Sequence, residues 1–237
     1  MKKSTNFLLA FCVVLAVHLL AININMPLTR VLSKCALLPL LLLYLMVAGS
    51  GHHQPLFKKM AMLALFFSWL GDVLLTQNGT IFFLMGMLAF IVTHLINGSL
   101  LLRLQSVRYT FATMMGVILA MGAIGMVYYW LHDYLGTFLV PVVNYMFIIG
   151  TVWVFSFNLS NQSQYKKTAY YFFIPGMFLF VLSDSLLALN KFLLHYPVRW
   201  DGWIMLTYAL AQLLLTRAYL QVLTINGQHN TSANLPT

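Results

Sequence analysis

Apolar residues in this chain come in successive runs, each close to the length that crosses a bilayer, from near the first residue almost to the last. A hydrocarbon core about 30 Å thick takes roughly 20 helical residues. Backbone groups inside it find no water, so a spanning chain closes its hydrogen bonds within helices or in a sealed barrel. Barrel strands alternate apolar and polar residues over about 10 positions; these runs do not alternate. The expected fold is all-α, a polytopic membrane protein of about eight transmembrane helices. The runs fall at about Asn6–Ile22, Val31–Ala48, Lys58–Leu75 and Ile81–Leu102, then Tyr109–Leu131, Thr137–Asn158, Thr168–Asn190 and Trp200–Leu223. We expect one membrane domain over residues 1–223 and a polar cytoplasmic tail over 224–237, disordered from Gln228 onward.

Charge sets the expected orientation. A formal charge of +9 suits nucleic acid only where Lys and Arg line one face, and here they sit at the ends of runs. Nine of them (Lys2, Lys3, Lys58, Lys59, Arg103, Arg108, Lys166, Lys167 and Arg217) fall on one side of the membrane, against Arg30, Lys34, Lys191 and Arg199 on the other. An excess of Lys and Arg marks the cytoplasmic side. The expectation is a multi-pass integral membrane protein with both termini in the cytoplasm, which for a prokaryotic chain means the bacterial inner membrane. The first run has the length of a signal-peptide core but no small-residue cleavage site, so it is expected to stay as a span. Cys12 and Cys35 make neither a disulfide framework nor a metal motif.

All four acidic residues are Asp, and two of them lie inside apolar runs. Leu70-Gly71-Asp72-Val73-Leu74-Leu75 and Leu182-Ser183-Asp184-Ser185-Leu186-Leu187 share one pattern 112 residues apart, and each reaches an Asn six residues after its Asp, Asn78 and Asn190. The spacing is compatible with a parallel repeat of four spans plus four. An ionisable group in hydrocarbon is costly and needs a partner, a water-filled cavity or a chemical role. Counting about 1.5 Å per residue puts Asp72 and Lys34 about 5 Å in from the non-cytoplasmic side, Asp184 about 9 Å and Tyr208 about 12 Å. Asn144 and Tyr145 fall in the same layer.

Each of these residues also has a structural reading. Asp72 and Lys34 suit a plain ion pair, and Lys34 alone suits snorkelling to the interface. His94, deep in the fourth run, suits a hydrogen-bonded structural His. Tyr208 and Gln212, at i and i+4, suit helix packing as well as substrate binding. Gly98, Gly122 and Gly125 are expected at close helix contacts. Asp133 and Asp201 read as acids of loops and span ends, and His52-His53 as exposed loop.

Phe67-Ser68-Trp69-Leu70-Gly71-Asp72-Val73-Leu74-Leu75, then Gly86 to His94 in the pattern GxxAFxxxH, then Phe180 to Phe192 around Ser183-Asp184, and finally Tyr208-Ala209-Leu210-Ala211-Gln212 occur in that order. This set resembles the YhhN-type membrane family, the lysoplasmalogenases, over roughly residues 30 to 221. Lys34 is similar to that family's lysine early in the second span, although Cys35 follows it where bacterial members commonly have Pro. Asn97 stands near where the family often has Tyr.

The resemblance implies hydrolysis of the vinyl ether bond of a 1-alkenyl lysophospholipid (a lysoplasmalogen) to a fatty aldehyde and glycerophosphoethanolamine or glycerophosphocholine. It implies no cofactor and no metal. Asp184 is then the acid and Asp72 its ionised partner, or the reverse; Lys34 binds the phosphate, Tyr208 and Asn190 orient headgroup and water, and His94 and Gln212 complete the substrate site. The partners implied are lysophospholipid and membrane lipid, with no nucleic acid. The alternative is a proton-coupled transporter that uses the two intramembrane Asp residues. A metal-dependent hydrolase would need several His in one layer, and only His18 and His94 lie well inside runs.

Overall fold

The computed structural model describes residues 2–51, 54–194 and 200–233; His52, His53 and Arg199 lie outside them. Described residues outside turns and short links are helical: α1 (Lys2–Asn23), α2 (Pro27–Ala48), α3 (Pro55–Leu74), α4 (Thr80–Leu104), α5 (Phe111–Leu135), α6 (Leu139–Leu159), α7 (166–194) and α8 (Asp201–Ala233). Six apolar segments are long enough to cross a membrane, and one of them, Phe111–Leu159, contains both α5 and α6. Helix α3 is of similar length but carries Lys58, Lys59 and Asp72. Leu9, Leu20, Ile118 and Tyr129 stand exposed, while Ser68, Thr93, His94, Asn97, Gln212 and Thr216 are buried. That arrangement, apolar outside and polar within, is the one a hydrocarbon solvent selects.

Local sequence explains the helix ends. Pro27 and Pro55 open α2 and α3 at the first turn, where the missing N–H has no helical partner to lose. Gly79, with φ 117°, makes the turn into α4, a conformation that favours Gly. The Thr110 side chain caps α5 by accepting from the backbone N–H of Thr113. Inside α7, Ala169–Phe173 widens into a π turn just before Pro175. Proline has no N–H and crowds the carbonyl four residues back, and a wider turn relieves both problems.

Helix α8 is the most enclosed apolar segment and packs on α1, α2, α3 and α7. Ala209, Ala211 and Ala218 are fully buried on it, and small residues of this kind let neighbouring helices approach. Helices α3 and α4 meet as closely: a Cβ on Gly71 would lie 2.8 Å from the Phe90 ring, and one on Gly86 3.0 Å from Leu75. The small residues before the two Asp thus serve the same end. Gly71 admits Phe90 of α4, and Ser183 donates to the Ile204 carbonyl of α8 at 3.0 Å.

Two expectations are corrected. Gly122 and Gly125 face open space on an exposed part of α5 instead of a helix contact. Helix α8 continues through Gln228 to Ala233, because nothing stronger than Gly227 interrupts it before Pro236. The seventh run ends in a second π turn, Asn190–Leu194.

Candidate active site

The α1–α2 turn, the α3–α4 turn, the end of α7 and the start of α8 surround a cavity of about 800 Å³. Asp72, Asp184, Lys34, Asn190 and Tyr208 all line it, together with Asn78, which follows Asp72 by six residues as Asn190 follows Asp184. Residues from four runs and 174 positions of sequence, Lys34 to Tyr208, therefore share one space.

Each Asp is held by a tyrosine from a different helix. Tyr208 of α8 donates to Asp72 Oδ2 at 2.7 Å and accepts from Gln212 Nε2 at 3.3 Å. Tyr145 of α6 donates to Asp184 Oδ2, and its oxygen lies 3.3 Å from His94 Nε2. A phenol has one proton to give. With the Tyr145 proton directed at Asp184, the proton between His94 and Tyr145 belongs to His94 Nε2; His94 Nδ1 is buried and has no hydrogen-bond partner among the described residues. His94 and Gln212 do not line the cavity. They stand behind it and orient the two tyrosines.

The two carboxyl groups differ in charge balance. Lys34 Nζ lies 3.9 Å from Asp72 Oδ1. Among the described residues no cation forms an ion pair with Asp184. Asp72 is 3% exposed, whereas Asp184 is only partly buried. One carboxyl thus has a cation as its partner, whereas the hydrogen-bond partner of the other is the neutral phenol of Tyr145.

The cavity wall also holds Arg30 and Asp201, whose pairing leaves no spacing signal in the sequence. Arg30 pairs with Asp201, and Asn190 Nδ2 donates to Asp201 Oδ1 at 3.4 Å. Asn190 Oδ1 is buried without a partner, and it belongs to the π turn that ends α7. Turns of this kind recur at functional sites because they re-aim one side chain. Asp201 is therefore a cavity residue and not an idle span-end acid. Arg30 and Asp201 stand 171 residues apart, so spacing gave no signal for the pair. Its one trace is that Asp201 is an acid at the start of an apolar helix. Asn144, expected in the same layer, is exposed, whereas its neighbour Tyr145 turns inward. Asp133 is exposed as well. No group of three or more His, Cys, Asp or Glu that could hold a metal occurs among the described residues.

The sequence model of the YhhN family matches residues 29–219. The chain belongs to the YhhN family. The YhhN match begins one residue before Arg30, excludes α1, and takes in both Asp motifs, their tyrosines, His94 and Gln212. It agrees with the resemblance expected over roughly residues 30 to 221. No curated protein and no solved structure matches the chain.

Proposed function

We propose that this YhhN protein is a lysoplasmalogenase, which adds water across the vinyl ether of a 1-alkenyl lysophospholipid. Family membership supports a hydrolase of this kind. The observation that carries the reading is the pair of carboxyl groups on one cavity with only one of them beside a cation. A vinyl ether hydrolyses by protonation of its outer carbon, which leaves an oxocarbenium ion. Water attacks that ion, and the hemiacetal collapses to aldehyde and alcohol. The reaction needs one acid that still holds its proton and one negative charge near the cation, and unlike environments divide two carboxyls into those roles. Glycosidases use the same division at a similar cationic transition state.

Asp184, without a cation, is the proton donor in this reading. Tyr145 occupies its Oδ2, so the proton resides on Oδ1. Asp72, balanced by Lys34, stays ionised, faces the developing positive charge and receives the proton of the attacking water. The outer carbon gains the proton of Asp184 and the ether carbon gains hydroxyl; the C–O bond to glycerol then breaks as the glycerol oxygen takes the proton held by Asp72, and the hemiacetal hydroxyl gives its proton back to Asp184 as the aldehyde forms. Lys34 and Arg30 offer the cationic contacts for the phosphodiester, and the unpartnered Asn190 Oδ1 offers an acceptor for a donor of the headgroup or for water. We read the chain as eight crossings with both termini cytoplasmic and the cavity toward the opposite side.

Purified protein in detergent is expected to release a fatty aldehyde from a 1-alkenyl lysophospholipid and nothing from the 1-alkyl and 1-acyl analogues. Fatty acid from the acyl analogue would mean a different bond. Transport of the intact lipid without any turnover would mean a transporter.

A further inference from the structure

Asp184 stands in the walls of two cavities. The second is a crevice of about 40 Å³ between α5, α6 and α7, and among the described residues Asp184 alone belongs to its lining and to that of the large cavity. The two spaces differ in chemistry. Arg30, Lys34, Asn190 and Asp201 line the large one, whereas the crevice is walled by side chains such as Ala120, Val127, Val142, Ile149 and Trp153. Its one phenol, Tyr145, is already engaged by Asp184 and His94. We propose that this crevice is the hydrocarbon-chain subsite: it takes the first carbons of the alkenyl chain, while the headgroup occupies the large cavity and the scissile bond lies at Asp184. The inference rests on the lipid-hydrolase reading above and adds to it a direction for the substrate.

The volume limits what enters. A cavity of about 10–15 Å³ already holds one water, so about 40 Å³ takes only the first few carbons, those next to the vinyl bond. The rest of the chain runs out along α5, where Ile118, Met121 and Met126 are exposed and Gly122 and Gly125 face open space. Gly150 of α6 borders the crevice. A Cβ there would lie 3.2 Å from Ile124 Cδ1 and 3.6 Å from Ala120 Cβ, so a larger side chain at 150 grows into it.

Two measurements test the subsite. A 1-alkyl lysophospholipid with a diazirine on the third chain carbon, photolysed on the native protein, is expected to leave adducts within residues 120–127 and 142–153. Adducts confined to the large cavity, or spread over all lipid-facing helices, overturn the proposal. Gly150→Val is expected to lower kcat/KM for a hexadecenyl substrate at least tenfold and to change that for an ethenyl substrate less than twofold. Parallel loss on both substrates, or no loss, overturns it. The two readings fail separately. Native protein that releases aldehyde but is labelled elsewhere keeps the reaction and loses this subsite, and labelling in the crevice without any aldehyde keeps a chain-binding site and loses the hydrolase.

Discussion

Folded Asp184→Asn protein is expected to release aldehyde about a hundred to ten thousand times more slowly than the native chain, the usual range for loss of a positioned general acid. Asn has nearly the shape of Asp, and its side-chain oxygen still accepts the hydroxyl of Tyr145, so the packing around α6 and α7 is retained. What is lost is the proton on the other oxygen. The defect should therefore appear in kcat, with KM little changed, because the headgroup contacts proposed for Lys34 and Arg30 are untouched. Asp184→Glu keeps an acid but moves it by a methylene, and an intermediate rate is expected. Turnover above about a tenth of native in Asp184→Asn would remove this residue from the acid's role. Asp72→Asn separates the two assignments when both variants are assayed with equal attention to folding.

The second large effect is on stability. Lys34→Met removes the cation 3.9 Å from Asp72 and leaves a carboxylate that is 3% exposed without its counter-charge. Removing one partner of a buried pair costs about 3–5 kcal/mol, since the remaining charge keeps its desolvation penalty and loses its attraction. Thermal unfolding in detergent should register the loss. The double variant Lys34→Met/Asp72→Asn is expected to recover most of the stability and none of the activity, a non-additivity proper to residues in direct contact. If Lys34→Met alone unfolds like the native chain, the pair contributes nothing to stability and Lys34 serves the ligand only. If the double variant is active, Asp72 has no chemical role.

How far the sequence spoke depended on which physical signal each feature leaves. The helices were legible because hydrocarbon demands long apolar runs, and α4 and α5 agree with their runs to within a few residues. Asp72 and Asp184 were legible because carboxyl groups in such runs are rare and costly. Tyr208 and Gln212 followed from the i, i+4 geometry of a single helix. Contacts across the bundle were not legible in the same way. Nothing local to Tyr145 says that it reaches Asp184 while its neighbour Asn144 faces outward, because a helix turns about 100° per residue and the sequence does not fix its rotation. The Arg30–Asp201 pair is a tertiary event between the first turns of two distant helices. The π turns of α7 answer to Pro175 and to packing, neither of which leaves a periodic trace.

Turnover of a 1-alkenyl lysophospholipid by the native protein in D₂O tests the central claim most directly, because the account requires a proton to pass to carbon. Mass spectrometry of the released aldehyde, trapped as it forms, should find one deuterium at C2, the carbon next to the carbonyl, with none in aldehyde mixed with the Asp184→Asn protein under the same conditions. Aldehyde released with only hydrogen at C2 would contradict carbon protonation, and with it the division of labour between Asp184 and Asp72.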